Sequence, residues 1–260
     1  MKCVPLLEEK QMSLHEVGGD LLFAWLAILA AYAVFTLVGF GSALIASAPL
    51  AQVMPVAQVI PLLALLDCGG SSLRAGRAWR TVAWPALIKL APGMVLGQLF
   101  GVYVLSRLPL SWMALALGGF VIVLGVRGLL GRSNAPQTGS LGVWGYGLFG
   151  GVLGGLFGSG GFMYAAWLER HLPQREAFRA TQAVLIALST AWRIVLCAGL
   201  GLLNSALFWQ ALAMLPAMLA GIWLGHHIDV KLSREQLFRV LNALLLLSGS
   251  ALIVRHLGLI

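Results

Sequence analysis

Arg193 stands about thirteen residues into an apolar run that begins near residue 180, which is roughly 20 Å along a helix axis. A charge at that depth is expensive in hydrocarbon and marks a functional group by default, and a guanidinium offers the planar fork that fits an oxyanion. Three readings stand for it: contact with an anion, a structural pair with Asp67 or a backbone carbonyl, or snorkelling towards an interface. Asp67 and Glu169 lie beside apolar segments, and a carboxyl bordering a cavity of low dielectric can carry a proton. Lys89, about two turns inside its own segment between Pro85 and Pro92, reads as a snorkelling side chain.

Two glycine strings supply another chemistry. Gly39-Phe40-Gly41-Ser42 and Gly158-Ser159-Gly160-Gly161 allow tight turns that bare backbone N–H groups, and Ser42 or Ser159 could cap the limb that follows. A helix N-terminus at such a break carries roughly half a positive charge and unclaimed donors, so two that face one another form a site for a small anion. The competing reading is close helix packing, which suits Gly147, Gly151 and Gly155 at four-residue spacing better. Thr181, Gln182, Ser189 and Thr190 form a polar stripe that serves either inter-helix hydrogen bonding or cavity lining.

Other groups offer less. His226, His227 and Asp229 fall at a helix end where interfacial solvation accounts for them. Cys3, Cys68 and Cys197 make no CxxC pair and match no metal spacing. No G-x4-G-K-[ST] string is present, and Gly158-Ser159-Gly160 lacks the spacing and the His partner of an intramembrane serine protease. The expectation is no catalytic residue, no metal and no cofactor.

The elements that position these residues are those of a membrane protein. Apolar residues make up 60% of the 260, charged residues 10%, and mean hydropathy is +0.91, against about 25% charged in a soluble domain. That composition excludes a soluble enzyme, a disordered chain, a disulfide scaffold and a nucleic-acid module. The net charge of +8 comes from Lys and Arg between apolar segments, where they orient the chain and meet lipid headgroups. Residues 21–66 hold no ionisable group, and Pro49, Pro55 and Pro61 with the glycines are expected to divide them into several elements. Apolar segments follow at about 81–105, 110–130, 141–168, 180–200, 205–228 and 236–254.

An internal repeat organises the segments. Pro92-x4-Gly97-x3-Gly101 recurs as Pro216-x4-Gly221-x3-Gly225, and Gly39 to Ser42 aligns with Leu156 to Ser159. The division is a polar leader at 1–20, a first membrane repeat at 21–131, a linker at 132–140 and a second repeat at 141–260. Basic residues swap between equivalent loops. Treating each broken segment as a re-entrant hairpin puts Arg74, Arg77, Arg80, Arg127, Arg132, Arg170, Arg175, Arg179, Lys231, Arg234 and Arg239 inside, and Lys2, Lys10, Arg107 and Arg255 outside. That asymmetry obeys the positive-inside rule, whereas parallel repeats give none. The expected fold is therefore an all-α polytopic membrane protein of two inverted repeats, each a glycine-broken helix pair plus three transmembrane helices. Both termini fall outside, and exposed small-residue faces permit a homodimer.

The broken helix with Gly39-Phe40-Gly41-Ser42, the string Phe157-Gly158-Ser159-Gly160-Gly161 and the downstream Arg179-Ala180-Thr181-Gln182 resemble the sulfite exporter TauE/SafE family, also called the toluene sulfonate uptake permease group. The likeness covers nearly all of residues 21–254, with one departure: Ala43 follows Gly41-Ser42 where the second half has Gly160-Gly161. The resemblance implies transport of sulfite, sulfoacetate or other sulfur-containing anions across a bacterial inner membrane. With the residues above, it implies a secondary transporter, most simply an exporter, whose site is built from Gly39, Gly41, Ser42, Gly158, Ser159, Gly160, Gly161, Gln182 and Arg193, with Asp67 and Glu169 as proton carriers. The other classes are an intramembrane enzyme and a non-transporting scaffold.

Overall fold

Long apolar runs form helices because, away from water, each backbone N–H and C=O must be satisfied within its own segment. The computed structural model describes residues 14–39, 41–107, 110–129 and 142–227, with single positions at 243, 246, 250 and 254. Its helices are α1 (Leu14–Val38), α2 (Ser42–Val53), α3 (Val56–Ala78), α4 (Trp84–Arg107), α5 (Leu110–Leu129), α6 (Val143–Phe157), α7 (Gly161–His171), α8 (Arg175–Gly199) and α9 (Ser205–His227). A single 3-10 turn, Trp79–Thr81, joins α3 to α4. Among the described residues all regular structure is helical. The 132–140 linker, the segment at 236–254 apart from those single positions, Phe40, Asp229 and the basic residues Lys2, Lys10, Arg132, Lys231, Arg234, Arg239 and Arg255 lie outside the described residues.

Among the described residues four stretches are long and apolar enough to cross a bilayer: Gly19–Leu37, Trp84–Arg107, Arg175–Gly199 and Ser205–His227. By contrast α2, α6 and α7, with 12, 15 and 11 residues, reach only about half to three-quarters of the way. Large side chains such as Leu22, Ile88, Phe100, Trp112, Trp209 and Trp223 are exposed and form the lipid-facing surface.

Two boundaries differ from the sequence reading. Helix α1 begins at Leu14, so the last part of the expected leader is already helical. Of the three prolines expected to interrupt residues 21–66, only Pro55 stands at a boundary, capping α3, whereas Pro49 and Pro61 lie inside α2 and α3. Packed membrane helices accommodate an internal proline because neighbours re-satisfy the freed carbonyl.

Glycine sets the packing. Along the seam between α4 and α6, Gly93, Gly97 and Gly101 oppose Gly147, Gly151 and Gly155, and a Cβ on Gly101 would lie 2.5 Å from the Val152 carbonyl oxygen. Backbone meets backbone here, the means by which membrane helices associate without a hydrophobic drive. A similar seam joins α9 to α1, where a Cβ on Gly221 or Gly225 would lie 2.5 and 2.6 Å from the carbonyl oxygens of Leu29 and Ala33. In both seams residue numbers rise together, so the paired helices run parallel. Helices α3 and α8 run antiparallel: Asp67 meets Arg193, while the Ala83 N–H just beyond α3 donates to Thr181 Oγ1 near the start of α8 at 2.9 Å.

The buried core divides accordingly. One cluster joins α1, α2 and α3 to α9 through Tyr32, Leu50, Leu63 and Met218. A second is built mainly from α6, α7, α8 and α4, through Tyr146, Tyr164, Leu185 and Leu90, and a smaller third joins α2, α3 and α5 to the end of α4 through Leu44, Ile60, Leu117 and Leu105. Helices α4 and α9 are thus exchanged between two bundles that meet along α3 and α8.

Candidate functional site

The two bundles meet where their first helices break. Gly39, Gly41 and Gly158 have φ of 96°, 97° and 71°, left-handed values that cost a residue with a Cβ about 1–2 kcal/mol. At the first break α1 closes with the Gly39 N–H on the Phe35 carbonyl at 2.8 Å, and α2 starts at Ser42 with Gly41 as its cap. At the second, the N–H groups of Gly158 and Ser159 return to the carbonyls of Gly154 and Leu153 at 3.0 and 3.3 Å, closing α6 with Gly158 as a left-handed cap. Helix α7 then starts from Gly160.

Neither new helix receives a side-chain cap. The expected capping by Ser42 or Ser159 is overturned, because glycine occupies both cap positions and each serine is engaged elsewhere. Ser42 Oγ donates to Asp67 Oδ1 at 2.6 Å, and Ser159 Oγ donates to the Leu153 carbonyl at 3.4 Å. The first-turn N–H groups of α2 and α7 are left without side-chain acceptors, and the positive ends of both helices stand on one cavity.

That cavity is lined by Gly41 and Ser42 on one side, Gly158, Ser159, Gly160 and Gly161 on the other, and Asp67, Ser189, Thr190 and Arg193 between them. Arg193 is 1% exposed and Asp67 3%. Arg193 does not snorkel: its Nη1 donates to the Gly154 carbonyl at 2.8 Å, and its Nη2 stands 3.8 Å from Asp67 Oδ2. A closed guanidinium–carboxylate bond is about 2.7–2.9 Å, so the pair is a facing one, and Arg193 Nε has no hydrogen-bond partner among the described residues. Asp67 is held from its other oxygen, where Oδ1 accepts from Tyr32 Oη at 2.7 Å and from Ser42 Oγ. The arrangement can present an oxyanion with two helix N-termini and a guanidinium with a spare donor, opposed by one anchored carboxyl. The space is about 20 Å³, enough for a water molecule and too little for a sulfonate group.

Three candidates lie elsewhere. A Cβ on Gly39 would be 3.4 Å from Arg74 Nη2 and 3.7 Å from Gln182 Oε1, and Gly39 lines a different cavity, at the α3–α8 end. Gln182 precedes Arg193 by eleven residues on nearly the same face of α8, about 16 Å away along the axis. Glu169 is exposed near the end of α7. Lys89 is also exposed and lines a flank cavity of about 740 Å³ with Arg170 and His171. Tyr32 and the Gly154 carbonyl, the partners of Asp67 and Arg193, were not singled out in the sequence. A buried tyrosine hydroxyl needs an acceptor, and Tyr32 in the otherwise apolar α1 was the available signal. The polar stripe divides, with Ser189 accepting from Gln98 Nε2 at 2.6 Å across to α4 while also lining the cavity.

Gly158 fits nothing larger: a Cβ there would lie 2.8 Å from both Ala43 Cβ and Arg193 Nη1. Gly158→Ala is expected to lower stability by about 2–4 kcal/mol, combining left-handed strain with overpacking. Thermal unfolding of the detergent-solubilised protein, read against wild type, measures it.

A multi-pass helical membrane protein with a polar site enclosed between broken helices is the class that these features define. The chain belongs to the sulfite exporter TauE/SafE family, which it matches over residues 24–252. It is 31% identical over 196 residues to the probable inner membrane transporter protein TsaS of Comamonas testosteroni, covering 74% of this chain and 81% of that protein. It is 27% identical over 227 residues to the probable sulfite/organosulfonate exporter TauE of Cupriavidus necator, covering 84% and 88%. No solved structure matches it. The chain is a multi-pass inner-membrane protein of an exporter-type transport family.

Proposed function

We propose that this chain is a secondary transporter that exports small sulfur-containing anions, sulfite or organosulfonates, across a bacterial inner membrane by alternating access around the cavity at Arg193. The observation that carries this reading is the buried Arg193, with a spare Nε donor, between the uncapped N-termini of α2 and α7. The names of the relatives, one an inner membrane transporter and one a sulfite/organosulfonate exporter, supply the substrate class. Electrostatic attraction at this point is strong because water is largely excluded.

The two halves are inverted repeats in this reading. Antiparallel packing of α3 on α8 supports it, since equivalent helices related by an axis in the membrane plane must run oppositely. The mutual exchange of α4 and α9 supports it too. Arg74, Arg80, Arg170, Arg175 and Arg179 lie at the end where α3 finishes and α8 begins, which the positive-inside rule assigns to the cytoplasm.

Asp67 and the anion compete for one guanidinium. In the closed form Asp67 faces Arg193. An arriving sulfonate takes the Nη2 and Nε donors, and Asp67, anchored by Tyr32 and Ser42, accepts a proton when its counter-charge is claimed. Rocking of one bundle against the other about α3 and α8 widens the cavity, with the glycine turns absorbing the change in backbone angle. Glu169, exposed at the bundle end, has no place in this step.

Flux of radiolabelled sulfite and of an arenesulfonate in proteoliposomes tests the reading. Wild type is expected to move at least one of them, and an Arg193→Ala, Ser159→Ala double variant to fall to the protein-free level. Wild-type flux of neither anion above that level overturns the export reading, and unchanged flux in the variant removes these residues from it.

A further inference from the structure

A second cavity, of about 390 Å³, lies where α3 ends and α8 begins. Its charged and titratable lining is Arg74 from α3, Arg179 and Glu176 from α8, and His226 from α9. Two arginines from different helices therefore face one space with a single carboxylate among the described residues that line it. Arg74 is half-buried: its Nη1 donates to the Phe35 carbonyl at 3.2 Å, and the guanidinium lies over the Phe35 ring at 4.8 Å. Beside it Gln182, 2% exposed, has an amide Nε2 with no hydrogen-bond partner among the described residues. A buried polar group left this way costs about 1–3 kcal/mol.

Gly39 ties these groups together. Arg74 Nη2 and Gln182 Oε1 both approach the point where a Cβ on Gly39 would stand. Gly39 lines this cavity, and Gly41, two residues on, lines the central one. One glycine turn thus has the basic cavity on one side and Arg193 on the other.

We infer that this cavity is a second anion site, a vestibule in which Arg74 and Arg179 hold an oxyanion such as sulfite or a sulfonate outside the central site. Its place on the transport path rests on the export reading; its capacity to bind an anion does not. The shared chemistry is a compact group of negatively charged oxygens, which a lipid phosphate also carries.

Calorimetric titration of the full chain in phosphatidylcholine nanodiscs with sodium sulfite and with sodium benzenesulfonate tests it. Arg179 is exposed near the start of α8, so Arg179→Gln leaves the fold intact. That change is expected to weaken binding of at least one anion by about tenfold, the scale of a lost hydrogen bond to a charged group, while Arg179→Lys stays within about threefold. Equal binding by wild type and Arg179→Gln, or no binding of either anion, overturns the vestibule. So does binding that vanishes when phosphatidylglycerol is added, since the occupant is then a lipid headgroup. Flux without Arg179-dependent binding removes the vestibule and leaves export standing, and Arg179-dependent binding without flux does the reverse.

Discussion

Arg193→Ala is expected to abolish anion flux and to destabilise the fold, two losses that separate in a second variant. Removing one member of a buried charge pair leaves the other uncompensated, at about 3–5 kcal/mol, and Asp67 at 3% exposure is shielded from bulk water. The same energy lost from a bound anion corresponds to about a hundred- to several-thousandfold in affinity. Arg193→Lys keeps a charge but not the fork that reaches Gly154 and Asp67 at once, so flux of a few per cent of wild type is expected. The double variant Asp67→Asn, Arg193→Met removes both charges and is expected to recover most of the thermal stability while transporting nothing. Melting of each variant beside its flux at several sulfite concentrations reads both effects; a double variant that transports like wild type would assign Arg193 a structural role alone.

The second large effect lies far from the polar site. A side chain at Gly97 would run into the Leu148 carbonyl, with the Val152 nitrogen at 2.9 Å and Gly151 Cα at 3.0 Å. The obstruction is backbone on every side, so no side-chain rotation relieves it. Gly97→Val is expected to prevent the α4–α6 seam from closing, at well over the 1–3 kcal/mol of ordinary overpacking, and to leave little monodisperse protein in size-exclusion traces of membrane extracts. Gly119→Ala is the control. Nothing lies within 4 Å of a Cβ at Gly119, and helix propensity favours alanine there by about 1 kcal/mol. A monodisperse Gly97→Val protein would show that the seam can open, contrary to its backbone contacts.

Features that a single residue enforces were legible in the sequence. The strings Gly39-Phe40-Gly41 and Gly158-Ser159-Gly160-Gly161 are expected to break their apolar runs, and α1 and α6 end at them. Gly147, Gly151 and Gly155 at four-residue spacing have to lie on one helix face, and they do so against α4. A lone arginine and a lone aspartate in apolar segments have strong reason to seek partners, so their meeting, or Arg193 meeting a carbonyl, could be written down beforehand.

What depends on relative depth was not legible. Gly39 and Gly41 are two residues apart, yet a turn with two left-handed residues has two sides and they open onto different cavities. Gln182 shares a helix face with Arg193, and periodicity reports the face without reporting which cavity a given turn reaches. The serine caps failed for a related reason: glycine on either side took the cap position, and Ser42 was drawn to Asp67 from another helix. Tyr32 needed the pairing of α1 with α3 to be known before its hydroxyl could be assigned.

Anomalous diffraction from crystals grown with selenate tests the convergence of the two helix ends most directly, because selenate carries the tetrahedral oxygens of a sulfonate on an atom that can be located without bias. The expected result is a selenium peak between the N-termini of α2 and α7, with oxygens in hydrogen-bond range of Arg193 and of the backbone near Ser42 and Gly161. Selenium found only elsewhere, with Arg193 still facing Asp67 and the central cavity closed, would contradict it.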